Sequence, residues 1–104
     1  MGTVMTDRLT EIRERFDRVV LDLLGPIRMQ KRVDSDALAT MLGILSDLAE
    51  VMQDEDQVPR KLVGDLWYVF TAMLAEADHA KDPPQILAAA WEIQEQLQQI
   101  FGPK

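Results

Sequence analysis

Apolar residues recur at helical spacing in four separate stretches, and none of them sustains the alternation of a β-strand. In the first stretch Leu9, Ile12, Phe16, Val19, Val20, Leu23 and Ile27 follow at spacings of three, four or one, which puts them on one helical stripe. The polar remainder sets Glu11 before Arg15 and Glu14 before Arg18 at (i, i+4), the spacing of surface ion pairs. Thr6 is the expected N-cap, and Asp7 in the first turn suits the positive end of the helix dipole. Gly25-Pro26 predicts a stop or a kink, because Pro26 has no N–H and its ring clashes with the preceding turn. The first helix is therefore expected over 6–25, with 26–33 a short helical extension or a loop.

Three further helices follow from the same signals. Asp34-Ser35-Asp36 caps a helix expected over 35–54. Gln57-Val58-Pro59 opens another over 59–80, with Pro59 at the tolerated first position. Asp82-Pro83-Pro84-Gln85 opens the last over 83–101, with Asp82 as N-cap and Gln85 placed to reach back; Gly102-Pro103 ends it. Short connections predict that consecutive helices are antiparallel neighbours. The expected fold is all-α, an antiparallel four-helix bundle or irregular four-helix array, in one domain spanning 1–104.

The helix faces differ in what they leave over. On helix 2, Asp36, Thr40, Gly43, Asp47, Glu50, Gln53 and Asp54 fall on one side of the helix, and Glu55 and Asp56 continue the acidity. Leu38, Met41, Leu42, Leu45, Leu48, Ala49 and Met52 centre its apolar side, with Ile44 and Val51 on the edge beside the acids. Helix 2 thus either touches two neighbours or offers Ile44 and Val51 to a partner. On helix 3, Leu62, Val63, Leu66, Phe70, Met73 and Ala77 form the main stripe, flanked by Trp67, Val69 and Leu74. Its opposite face carries Gly64, Tyr68, Thr71, Ala72, Ala75 and His79 rather than charge, a composition that suits close approach of another helix, in the same chain or in a second copy. Helix 4 has the stripe Ile86, Ala90, Ile93, Leu97, Ile100 and Phe101, with Trp91 off it.

Charge sharpens this picture. Of the formal net charge of −7, residues 34–58 carry seven acids and no base, whereas residues 1–33 carry seven bases and five acids. An acidic chain repels phosphate backbones, so a nucleic-acid partner is not expected. No run approaches the ~18 apolar residues of a membrane span, and residues 1–7 lack the apolar core of a signal peptide, so a cytoplasmic protein without a membrane role is expected. Met5 is an alternative start, and residues 1–4 carry no weight in the fold expectation.

Candidate chemistry is sparse. The chain has no cysteine and one histidine, which excludes thiolate chemistry and multi-histidine metal sites. Glu76-x-x-His79 has the spacing of a di-iron motif, but such a site needs two copies plus two further inward glutamates, so a helix-end histidine facing the dipole is expected. Glu11-x-x-Glu14 and Asp47-x-x-Glu50 could be read as magnesium-binding carboxylate pairs, yet both lie on polar faces. Arg28, Lys31 and Arg32 read as partners of Asp34 and Asp36 or as solubility charges. No phosphate loop or nucleophile elbow is present, so no cofactor, no metal and no catalysis are expected.

In being short, helical, acidic and cysteine-free, the chain resembles small bacterial immunity and antitoxin proteins that mask basic nucleases; the resemblance is one of composition and carries no residue motif. The leading expectation is a protein-interaction module that binds a basic partner through Asp36, Asp47, Glu50, Asp54, Glu55 and Asp56, anchored by Ile44, Val51 or Trp91. The alternative is a homodimer formed through the small-residue face of helix 3, and a metal- or nucleotide-dependent bundle enzyme comes third.

Overall fold

The computed structural model describes residues 3–53, 58–77 and 83–101, and the side chains of all of these from Arg8 onward except Pro83. Four helices make up the fold: α1 (Thr3–Gln30), α2 (Ser35–Val51), α3 (Arg60–Ala77) and α4 (Pro83–Phe101). The described residues contain no strand, and the all-α four-helix expectation is met.

The largest departure is α1. It starts at Thr3, which makes Thr6 an interior position and not the cap, and it runs through Gly25-Pro26 to Gln30 without ending. Leu23, Leu24 and Ile27 are buried on both sides of Pro26. Their packing outweighs the one hydrogen bond that proline removes. The helix stops five residues later, where Lys31 adopts the left-handed conformation (φ 53°) and Arg32 N–H donates to the Pro26 carbonyl at 3.3 Å.

Asp34 caps α2 as expected: its Oδ1 accepts from the backbone N–H groups of Asp36 (3.0 Å) and Ala37 (3.1 Å). α2 ends at Val51 and not at residue 54. The Pro59 carbonyl accepts from Val63 N–H at 3.1 Å, so Pro59 stands just outside the first turn of α3. α4 has the expected bounds, while the Asp82 cap, the Gly102-Pro103 stop and residues 78–80 lie outside the described residues.

Ion pairs give the directions. Arg8 reaches Glu50 (3.7 Å) and Arg15 reaches Asp47 (3.1 Å), so α2 runs antiparallel to α1. Arg13 pairs with Asp65 (3.9 Å) and Lys31 with Glu76, so α3 runs parallel to α1. Phe70 meets Trp91 at 6.2 Å between ring centroids, nearly equidistant from the α3–α4 connection, as an antiparallel pair requires.

Helix α1 packs on α2 and α3, and α4 packs on the same two. Around the core the order is therefore α1, α2, α4, α3, which puts α2 and α3 at opposite corners. The expectation that every consecutive pair packs side by side fails at this step. The cause is visible on α2, whose buried residues Ala37, Met41, Ile44, Leu45, Leu48 and Val51 span two neighbours, α1 and α4. One apolar cluster joins all four helices.

Candidate functional site

The acidic strip changes most between sequence and structure. Ile44 is 0% exposed and Val51 7%, so both are core residues on the α1 side of α2 and neither is offered to a partner. Ile44 borders the groove between α1 and α2 together with Arg15 and Val19. Asp47 and Glu50 are met by Arg15 and Arg8, cations that the sequence of helix 2 alone does not show. Arg15 thus serves α2 and not Glu11, while Arg18 Nε donates to the Glu14 backbone carbonyl at 3.4 Å and not to its carboxylate. Asp36 is exposed. Asp54, Glu55 and Asp56 lie outside the described residues, and Trp91 stands against Phe70 of α3, away from this strip.

The basic cluster after Pro26 also finds other partners than Asp34 and Asp36. Arg28 donates to the Tyr68 hydroxyl and its guanidinium lies 5.7 Å from the Tyr68 ring centroid. The hydrogen bond to Tyr68 raises the Arg28 pKa above its ordinary value. Lys31 bonds Glu76, which ties that carboxylate to the end of α1, while His79 of the Glu76-x-x-His79 spacing lies outside the described residues. The Glu11, Glu14, Asp47 and Glu50 carboxylates do not converge either: the described residues contain no group of three or more His, Asp or Glu able to hold a metal ion.

A different surface emerges on α3. Gly64, Thr71 and Ala75 are exposed, Tyr68 is half exposed beside Arg28 of α1, and Ala72 is half-buried against the core. His79 lies outside the described residues. The Thr71 hydroxyl donates to the Trp67 carbonyl at 2.8 Å, so its proton is satisfied within α3. Large side chains flank this small-residue ridge. Trp67 (45% exposed) stands on the α4 side, edge-on to the buried Phe70 at 5.8 Å, and Trp91 (50% exposed) lies 6.2 Å from the same ring. Tyr68 (50% exposed) stands on the α1 side, where it shares a groove with Leu21 (74% exposed), floored by Phe16, Val20 and Val69. Four of the six exposed large apolar residues thus lie along one arc across α1, α3 and α4.

No family model, curated protein or solved structure matches the chain. Sequence reasoning placed Trp67 on the flank of the core and gave Leu21 no role. The signal for Trp67 was available: Trp67 and Tyr68 are adjacent in sequence, about 100° apart on the helix, so no single core stripe accommodates both. The role of Leu21 depends on which helix lies beside α1, which no pattern within α1 reveals. Phe101, on the stripe expected to face the core, is exposed one turn beyond the buried Leu97.

Between Lys61 and Glu76, the only ionisable groups on α3 are Asp65, which pairs with Arg13 of α1, and Tyr68. Gly64, Thr71 and Ala75 carry no charge of their own, whereas the Tyr68 edge is bordered by Arg28, Asp17 and Asp65.

Proposed function

We propose that the chain is a non-enzymatic protein-interaction module whose contact surface is the uncharged outer face of α3 with the flanking Trp67, Tyr68 and Trp91. The observation that carries this reading is the exposure of three aromatic side chains, one of them beneath Arg28, along a ridge of uncharged small residues. Tryptophan and tyrosine supply large contact area at low entropic cost, and they dominate the anchors of protein interfaces. Small residues at Gly64, Thr71 and Ala75 let an opposing helix approach closely. The test compares wild type with Thr71→Arg for self-association and for capture of partners from cell extract. Wild type is expected to associate and the variant to lose that association at unchanged unfolding midpoint. If neither self-association nor any captured protein depends on Thr71, this face is not the contact surface.

A second reading keeps the acidic corner as a dock for a basic protein, favoured by the seven acids without a base in residues 34–58. Its apolar anchors are gone, because Ile44 and Val51 are buried. Its remaining free charge on α2 is centred on Asp36. Replacing Asp36, Asp54, Glu55 and Asp56 by lysine is expected to abolish capture of a basic partner; unchanged capture rejects this reading.

A further inference from the structure

We propose that the groove between α1 and α2 is a recognition site for the carboxy-terminal arginine or lysine of a peptide. The groove has a volume of about 560 Å³ and is lined by no residue of α3 or α4. The inference therefore goes beyond the contact surface proposed above and does not depend on it. Its floor is apolar: Val19, Ala37 and Ile44 are buried there, and Pro26 continues the wall toward the start of α2.

The charges around the groove divide into those the fold already satisfies and those it does not. Arg15 is held by Asp47 (3.1 Å), and Asp34 Oδ1 accepts two backbone N–H groups at the start of α2. Arg18, Asp22 and Asp36 are exposed, and none of them has an ion-pair partner among the described residues. Arg18 uses Nε on the Glu14 carbonyl, which leaves its two terminal nitrogens to grip an incoming carboxylate. Pro26 supplies no N–H to the carbonyl of Asp22 one turn earlier, so the acidic side offers a backbone acceptor as well. The Thr40 hydroxyl, also on the groove, makes no hydrogen bond among the described residues.

The order of the unmatched groups sets the occupant. Arg15 meets Asp47, so antiparallel counting puts Asp36 of α2 level with Pro26 of α1. Asp22 therefore lies about 6 Å beyond Arg18 along the groove, and Asp36 about 12 Å beyond it. A carboxylate at Arg18 and a cation between Asp22 and Asp36, joined by an apolar stem over Val19 and Ala37, match this order. An arginine or lysine at a chain end has that form, because its methylenes lie on apolar surface while the charged head stays in water. A free amino acid fits worse: its α-ammonium stands beside its carboxylate and would face Arg15 and Arg18. In a peptide that nitrogen is a neutral amide, and the preceding chain leaves through the open side of the groove. The charges remain hydrated, so binding is modest, with dissociation on the order of hundreds of micromolar.

Titration of the isotope-labelled full chain with Nα-acetyl-arginine, followed through amide chemical shifts, tests the site. The expected result is saturable shifts at Val19, Asp22, Ala37 and Thr40. Nα-acetyl-argininamide lacks the carboxylate, Nα-acetyl-leucine lacks the cation and free arginine adds the α-ammonium; each is expected to bind about three- to five-fold more weakly. Arg18→Gln is expected to weaken Nα-acetyl-arginine by the same factor and to erase its advantage over the amide. Asp22→Asn combined with Asp36→Asn is expected to erase its advantage over Nα-acetyl-leucine. Circular dichroism and the urea midpoint confirm that these exposed substitutions leave the fold intact. Shifts that do not saturate by about 10 mM overturn the site. Equal binding of acid and amide, or an affinity unchanged in Arg18→Gln, overturns the role of the carboxylate and with it the proposal. Free arginine binding more tightly than its acetylated form overturns the peptide terminus as the occupant.

Discussion

Asp34 accepts two backbone N–H bonds at the start of α2, and this carboxylate decides where that helix begins. Asp34→Ala is expected to lower stability by about 1 kcal/mol and Asp34→Ser to retain most of it, measured by urea unfolding. Lys31 sets the opposite boundary, the end of α1, from a left-handed backbone (φ 53°) that costs a β-carbon-bearing residue about 1–2 kcal/mol. Its ammonium also holds Glu76. The two effects separate by comparison: Lys31→Ala loses the ion pair and keeps the strain, whereas Lys31→Gly loses both. Lys31→Gly is therefore expected to be the more stable of the two by about 1 kcal/mol. Equal midpoints would mean that the left-handed turn is unstrained.

At the scale of elements, the helical periods were legible and their neighbours were not. The α1 stripe, the Asp34 cap and the α4 stripe from Ile86 to Ile100 all follow from local chemistry, because each depends on residues within a turn of one another. Ile44 and Val51 do not. Their angular position beside Asp47 fits a partner anchor and a two-sided core helix equally well, and only the place of α1 chooses between them. Ile44→Ala is expected to cost about 2–4 kcal/mol, the range of a fully buried truncation. A change within about 0.5 kcal/mol, normal for surface positions, would return Ile44 to the surface. The continuity of α1 through Pro26 has the same origin: a local penalty of about 3 kcal/mol is outweighed by burying Leu23, Leu24 and Ile27.

Across the whole molecule, the diagonal placement of α2 and α3 separates an acidic corner from an uncharged aromatic one. Arg8 and Arg15 reach across from α1 and relieve part of the α2 charge, but each pair is solvent-exposed and worth at most about 1 kcal/mol. Uncompensated repulsion within 34–58 therefore remains. Raising sodium chloride from about 10 mM to about 200 mM shortens the Debye length from roughly 30 Å to below 10 Å, and it is expected to raise the urea midpoint of the monomer at micromolar concentration. The Thr71→Arg chain serves as the monomeric reference. A midpoint that falls with salt would show that the cross-helix pairs outweigh the repulsion.

By itself the sequence determined four helices, most of their core-facing residues, the Asp34 cap and the concentration of acid in residues 34–58. All of these are set by the helical period, by capping chemistry or by simple position along the chain. Tertiary structure decided what stands next to each face. Which of Ile44 and Trp91 is covered, which arginine meets Asp47, and whether Gly64, Tyr68, Thr71 and Ala75 are free depend on the order α1, α2, α4, α3 around the core. That order comes from packing two-sided helices against one another, and the period of a single helix contains no information about its neighbours.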